Sequence, residues 1–208
     1  MSPTEATSST PHAVTRRGRR AMRSVVEAAE QTAHLRLAQS GDRDSLEMLL
    51  ADLRPGVFRY CLARLGDRHL ADDVTQEVCI AVVNALPAYR DEGRPFSAFV
   101  FSIAARKVAD AFRAAARSRE DSTAELPDVH DVAVGPEEHA LKAAAYAHAR
   151  RLLAELPEQQ REIVFLRVAA GLTAEETAAV VGISPGAVRV TQHRALAQLR
   201  RRLAEESS

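Results

Sequence analysis

The chain has 208 residues, with 28 Lys and Arg against 28 Asp and Glu, 46% hydrophobic residues and 4% aromatic ones. That length suits two small domains or one medium one, and the ordinary apolar fraction excludes an extended disordered chain. A net charge of zero argues against a bare, high-pI DNA binder drawn whole onto phosphate. With 39 alanines and few aromatic or β-branched residues, intrinsic preference runs to helix, so the expected fold is all-α with thin Ala- and Leu-packed cores.

Residues 1–24 read as a disordered basic tail carrying Arg16, Arg17, Arg19, Arg20 and Arg23. No apolar run follows of the kind a secretory signal needs. The longest stretches without a charged residue, Val78 to Tyr89 and Thr177 to Val188, are 12 residues each, against about 18 to 20 for a membrane span. A cytoplasmic protein with no membrane insertion is expected. Residues 25–118 carry helical periodicity, with breaks expected at Gly41-Asp42, Pro55-Gly56, Gly66-Asp67 and Asp91 to Pro95. Cys61 and Cys79 lie in apolar helical contexts without a second ligand pair at zinc spacing, and read as small buried hydrophobes.

Within this first domain, Leu70, Val74, Val78, Ala81, Val82 and Ala85 recur at helical spacing and predict a buried stripe. Asp72, Asp73, Gln76 and Glu77 form a compact polar cluster on the neighbouring face. No His, Lys or substrate-cradling loop accompanies these carboxylates, so a solvated or partner-binding face is expected rather than a catalytic one. The next helix, Phe96 to about Arg117, packs Phe96, Phe99, Val100, Ile103 and Ala104 inward near its start. Arg106, Asp110, Arg113 and Arg117 line another stripe, where Asp110 can hold Arg106 and Arg113 by i,i+4 and i,i+3 pairing. From Arg94 to Arg119 six basic residues face one acid, a net +5 that reads as a nucleic-acid footprint. Residues 119–139 form a flexible linker in which the stretch Glu120 to Glu138 carries seven acids and no Lys or Arg, a charge of −7, with Pro127, Gly135 and Pro136 as interruptions.

A second small helical domain, residues 140–205, contains the strongest local signal. Thr173-Ala174-Glu175-Glu176 is a capping box that starts a helix. Gly182 suits the left-handed turn that ends it, and Ser184-Pro185 offers an N-cap and a pre-set first residue for a second helix reaching about Leu203. Ala178, Gly182 and Val188 carry the spacing of a helix-turn-helix, with Ile183, Val188, Leu196, Leu199 and Leu203 as the expected buried stripe. Ser184, Gly186, Arg189, Thr191, Gln192, His193, Arg194 and Gln198 remain for the exposed face, which holds donors able to read base edges in a major groove. Five arginines and no acid between Gly186 and Arg202 give this helix a net +5.

Ala38 to Asp42, Asp72 to Val78 and Phe96 to Ala104 resemble region 2 of bacterial sigma factors of the extracytoplasmic-function (ECF) group. Leu156 to Arg161, Leu166-Arg167, and Gly171-Leu172-Thr173 through Val188-Arg189 resemble region 4. Val188 to Leu196, with Arg94-Pro95-Phe96 and Lys107 to Asp110, is similar to the actinobacterial sigma-D type. The resemblance implies two helical domains, a region 2 bundle and a region 4 helix-turn-helix, in a promoter-specificity subunit of RNA polymerase. It implies that Asp72, Asp73, Gln76 and Glu77 face the β′ coiled coil of core polymerase and that the C-terminal domain meets the β flap. Arg94, Phe99, Arg106, Lys107, Arg113 and Arg117, with the loop Tyr89 to Pro95, would engage the −10 element and hold a flipped base. Ser184, Gly186, Arg189, Thr191, Gln192, His193 and Arg194 would read the −35 element. The acidic linker would occupy polymerase channels otherwise used by nucleic acid, and an anti-sigma factor is a further partner that the family allows.

Two departures bear on melting: Phe99 stands where family members often carry Trp, and Ser102-Ile103 where primary sigma factors use an aromatic pair. They imply narrow promoter selectivity. No nucleophile–base pair, metal spacing or phosphate loop supports an enzyme, and no cofactor is expected. The alternative, a helix-turn-helix regulator acting alone on DNA, leaves the acidic cluster and the linker unexplained.

Overall fold

In the computed structural model the described residues are 32–121, 145 and 147–206, and every regular element among them is helical. The expected basic tail at 1–24 lies outside the described residues, as does the acidic linker from residue 122 onward. The chain divides after Leu49 into two compact units. In the first, residues 32–39 form α1. Gly41, at φ 96°, turns the chain where a side chain would be strained. The Asp42 carboxylate accepts from the Ser45 amide at 2.9 Å, starting α2 (Arg43–Leu65). Leu35, Ala38 and Leu49 are buried.

The break expected at Pro55-Gly56 does not occur, because α2 runs through both residues. Proline inside a helix costs about 3 kcal/mol through its missing N–H and ring clash. Just beyond it Val57, Tyr60 and Cys61 are completely covered, and burying such side chains returns roughly 1.5 to 3 kcal/mol each, so continuation wins. Gly66, at φ 77°, and Asp67, whose carboxylate accepts from the Leu70 amide at 2.8 Å, do end α2 and begin α3 (Arg68–Ala85), as expected.

Val74, Val78 and Val82 line the buried face of α3, but Leu70 is exposed, Ala81 and Ala85 are half-covered, and Ala71 and Thr75 are buried instead. With Asp67 as cap, Leu70 falls on the outward side of the first turn. Thr75 tolerates burial because its hydroxyl donates to the Ala71 carbonyl at 2.6 Å. A short 3-10 turn, Leu86–Ala88, leads to a loop and then to α4 (Phe96–Asp121). Phe96, Val100 and Ala104 are buried as expected, Phe99 and Ile103 are half-buried, and Ala98, Phe101 and Val108 complete the face packed against α3.

The C-terminal helices form their own core. Residues 147–154 form α5, followed by α6 (Glu158–Val164), whose end widens into a π-helical turn at Phe165–Ala169. Then come α7 (Ala174–Val181) and α8 (Pro185–Glu206). Ile163, Ala174, Ala178 and Val188 pack with Val181 and Ile183, while Leu156, Val164 and Ala195 pack with Leu153 and Leu199. Of the stripe expected on α8, Val188 is buried, Ile183, Leu196 and Leu199 are half-buried, and Leu203 is 44% exposed. The last turns of α8 meet the α5 segment through polar contacts, His148 with Glu206 at 3.1 Å and Arg202 with Glu155 at 2.9 Å, which leave Leu203 partly in water, and Ala195, which no sequence pattern marks, takes the central place.

Candidate nucleic-acid interface

Every backbone device of the helix-turn-helix is present. The Glu176 amide donates to the Thr173 hydroxyl at 3.1 Å, and the Thr173 amide donates to the Glu176 carboxylate at 2.7 Å. Gly182 stands at φ 73° with open space around it, and the Ala187 amide donates to the Ser184 hydroxyl at 3.2 Å. These caps fix α8 against α7, so side chains at the start of α8 project from a rigid frame. Ser184, Gly186, Arg189, His193 and Arg194 are exposed, whereas Thr191 and Gln192 are half-buried. Gln192 accepts from Arg167 at 3.0 Å, which turns its amide toward the domain. The Arg189 guanidinium pairs with Glu175, both more than half exposed. A backbone amide at the start of α7, helped by Arg189, holds the Glu175 carboxyl below the usual range.

A second basic surface lies on α4 and the loop before it. Gly93, at φ 78°, donates its amide to Asp91 at 2.9 Å and reverses the chain. Arg94 is exposed, and Phe99 sits in an aromatic box, its ring centroid 4.8 Å from that of Tyr89 and 5.8 Å from that of Phe96. A cavity of about 360 Å³ opens beside this box, lined by Tyr89, Arg90, Glu92, Arg94, Phe99 and Ser102 among others. Its flat aromatic walls and arginine rim suit an unstacked base with its phosphate. Partial burial and the nearby Asp91 and Glu92 raise the Tyr89 phenol above its ordinary value. Arg106, Arg113 and Arg117 are exposed further along α4, and Arg113 pairs with Asp110 as expected.

The acidic face of α3 adjoins this surface. Asp73, Gln76 and Glu77 are exposed and Asp72 is half-buried, accepting from Arg54 at 3.3 Å and from Gln76 at 2.9 Å. Glu77 pairs with Lys107 of α4 at 3.0 Å. Ile80, 60% exposed, continues the same face one turn on and is absent from the residues that sequence reasoning selects. Its apolar character at i+3 from Glu77 is the signal that could have marked it. Cys61 is buried and Cys79 half-buried, both as free thiols. Among the described residues there is no cluster of three or more His, Cys, Asp or Glu able to hold a metal, and no helix long and apolar enough to cross a membrane.

Comparison with known proteins bears on these surfaces directly. The family model for Sigma-70 region 2 matches residues 49–118 and that for Sigma-70 region 4 matches residues 148–199. The chain is 55% identical over 172 residues to the ECF RNA polymerase sigma factor ShbA of Streptomyces griseus, covering 78% of this chain and 90% of that protein. It is 53% identical over 167 residues to the ECF RNA polymerase sigma factor SigD of Mycobacterium tuberculosis, covering 78% and 79%. Among solved structures it is similar to CnrH, determined in complex with the cytosolic domain of CnrY, at a TM-score of 0.64 and 25% identity over 85% of this chain and 98% of that one. A helix-turn-helix and a second basic helical surface, each inside a matching sigma-factor region, thus have one explanation: the chain belongs to the extracytoplasmic-function sigma factors, which direct transcription initiation by RNA polymerase.

Proposed function

We propose a division of labour between the two matched regions. Residues 25–118 act as region 2 and residues 140–205 as region 4, joined by the linker at 119–139. The aromatic box and its cavity take a base flipped from the −10 element, with Arg94 on the rim. Arg106, Lys107, Arg113 and Arg117 track the phosphates along α4. Unstacking a base costs a few kcal/mol, which the pocket recovers. On α8, Arg189, His193 and Arg194 read −35 base edges, while Ser184, Gly186, Thr191 and Gln192 complete the surface that follows the groove. Asp72, Asp73, Gln76 and Glu77 form the docking face for the β′ coiled coil of core polymerase, and region 4 meets the β flap. The protein works in the cytoplasm, without catalytic chemistry of its own.

The observation that carries this reading is the pairing of exposed cations with a base-sized aromatic pocket on α4, beside an acidic face with no catalytic company. The similar structure of CnrH is a complex with a second protein, the cytosolic domain of CnrY, which supports a protein partner besides polymerase here, and an anti-sigma factor is the candidate. A gel shift with actinobacterial core polymerase tests the assignment. The chain alone should leave promoter DNA unshifted, and chain plus core should shift it and yield run-off transcripts. Asp73→Ala with Gln76→Ala should weaken competition for core without unfolding the protein; unaltered competition means the face is merely solvated. A chain that shifts an inverted repeat without core is instead a regulator acting alone.

A further inference from the structure

One glycine on the exposed face of α8 has no task inside the fold. Gly186 stands in the first turn of the helix, in ordinary helical backbone rather than the left-handed conformation that Gly182 adopts. A Cβ built on it would meet only the Ser184 hydroxyl, at 3.9 Å, an ordinary contact. Glycine in a helix loses more backbone freedom on folding than alanine does, so a residue with a side chain would hold this turn better. Neither turn geometry nor packing within the chain calls for the missing side chain. Its absence gives clearance outward, where the atoms of a partner can approach the helix backbone closely.

Val190 lies one turn further along the same side of α8, at i+4 from Gly186. It is 51% exposed, whereas Val188 two residues earlier is completely buried and already serves the core of the domain. A β-branched residue is a weak helix former, and with half its surface in water Val190 recovers little by packing. Its exposed neighbours are Arg189 beside it and His193 and Arg194 one turn beyond. Among the exposed residues from Ser184 to Arg194, it carries the one wholly apolar side chain. The polar groups around it can sort donors from acceptors on a base edge, but none of them can weigh a methyl group. In a major groove the apolar group that a base edge offers is the 5-methyl of thymine.

We propose that Gly186 and Val190 form an apolar notch that seats the 5-methyl group of one thymine in the −35 element. Gly186 lets the base edge come up to the first turn of α8, and Val190 closes over its methyl group. Cytosine at that place leaves the notch unfilled, and a purine sets its polar N7 against Val190 without a donor. This rests on the assignment of α8 to the −35 element made above, and goes beyond it by naming Val190 as a specificity determinant and the base that it selects.

The test uses the full chain with core polymerase, on a promoter that this holoenzyme transcribes. Each −35 thymine, on either strand, is replaced in turn by deoxyuridine, which removes the methyl group and keeps every hydrogen-bonding atom. At one position the wild type should bind and initiate about four-fold less well, the worth of one buried methyl group. Val190→Ala should be weaker than wild type on the thymine promoter and indifferent to deoxyuridine at that position. Gly186→Ala should melt no lower than wild type, because its new methyl group meets only the Ser184 hydroxyl, yet hold the −35 element about ten-fold less tightly through overpacking of the notch. The proposal is overturned by a −35 element without an A·T pair, by no position sensitive to deoxyuridine, or by full sensitivity retained in Val190→Ala. Gly186→Ala that binds as the wild type does, or that melts below it, overturns the notch as well. Transcription indifferent to replacement of the whole −35 element would instead overturn the assignment of α8.

Discussion

Replacing Gly56 by alanine sets two effects against each other. Inside α2, glycine costs about 0.5 to 1 kcal/mol relative to alanine because its backbone loses more freedom on folding. The new methyl would stand 3.4 Å from the Phe101 ring, an ordinary contact, and 3.2 Å from the Ala170 carbonyl, which must retreat by a few tenths of an ångström. Phe101 lies within the α2–α4 core, whereas Ala170 caps the π-helical turn and is held to α2 by the neighbouring Arg59 bond to the Ala169 carbonyl at 2.9 Å. The softer partner gives way, so Gly56→Ala should stabilise the α2–α4 lobe and loosen its contact with the π-helical turn. For a lobe of this size about 1 kcal/mol corresponds to roughly 4 to 8 °C in Tm, and half that for the smaller gain. Calorimetry should resolve the lobe's transition a few degrees higher, while energy transfer between labels at Ala114→Cys on α4 and Arg201→Cys on α8, both exposed positions, falls. A lower Tm with an unchanged distance would refute the reasoning, because it would mean that α2 itself absorbs the clash.

Gly182→Ala meets open space, so its cost is backbone strain at φ 73° alone; about 1 to 2 kcal/mol of lost stability is expected in thermal unfolding, and an unchanged Tm would contradict it. Arg189→Ala in holoenzyme should lose about 1 to 3 kcal/mol of discrimination among −35 variants if the guanidinium reaches a base edge. Equal loss on every sequence would reassign it to phosphate. Burial pushes the Cys61 thiol from 9.0 up to about 11, so it stays neutral where an unfolded thiol ionises. A group raised on folding stabilises the fold below its unfolded value, so unfolding free energy should decline between about pH 9 and 11. Ellman's reagent at pH 8 should accordingly label half-buried Cys79 well before Cys61, and equal rates would count against the burial.

The parts of the fold legible in the sequence are those in which donor and acceptor lie within four residues of each other. Thr173 and Glu176, Gly182, Ser184 and Asp67 all act on their own turn of chain, and each does what its chemistry dictates. At Pro55-Gly56 the local rule is sound but outweighed: the burial that carries α2 onward comes from Val57, Tyr60 and Cys61 packing against distant elements. Leu70 departs from the expected stripe because a single capping carboxylate decides where the first turn begins and so which way it faces. Glu162 and Ser97 carry no sequence signal at all. Their partners lie 102 and 79 residues away in the chain, and nothing in composition or periodicity brings such positions together. The cavity beside α4 is half legible: the loop from Tyr89 stands out in the sequence, but the box of Tyr89, Phe96 and Phe99 needs the turn at Gly93 to close it.

The overall charge balance conceals two classes of ion pair with different work to do. Arg189–Glu175, Arg113–Asp110 and Lys107–Glu77 each have at least one partner more than half exposed; such pairs are worth about 0 to 1 kcal/mol and are screened by salt. A phosphate can take these cations at little cost, so the pairs orient the basic side chains without withholding them. Arg64–Glu162 is of the other kind, with both charges largely shielded from water. Removing one partner there would strand the other, which makes the contact slow to yield unless both are resolvated together. The exposed pairs thus sit on the surfaces proposed for DNA and core polymerase, and the shielded one between α2 and α6. Lys107–Glu77 links the two proposed binding faces as well. In the proposed division of labour, a basic partner that claims Glu77 would free half-buried Lys107 for phosphate, so docking on the acidic face of α3 would strengthen binding along α4.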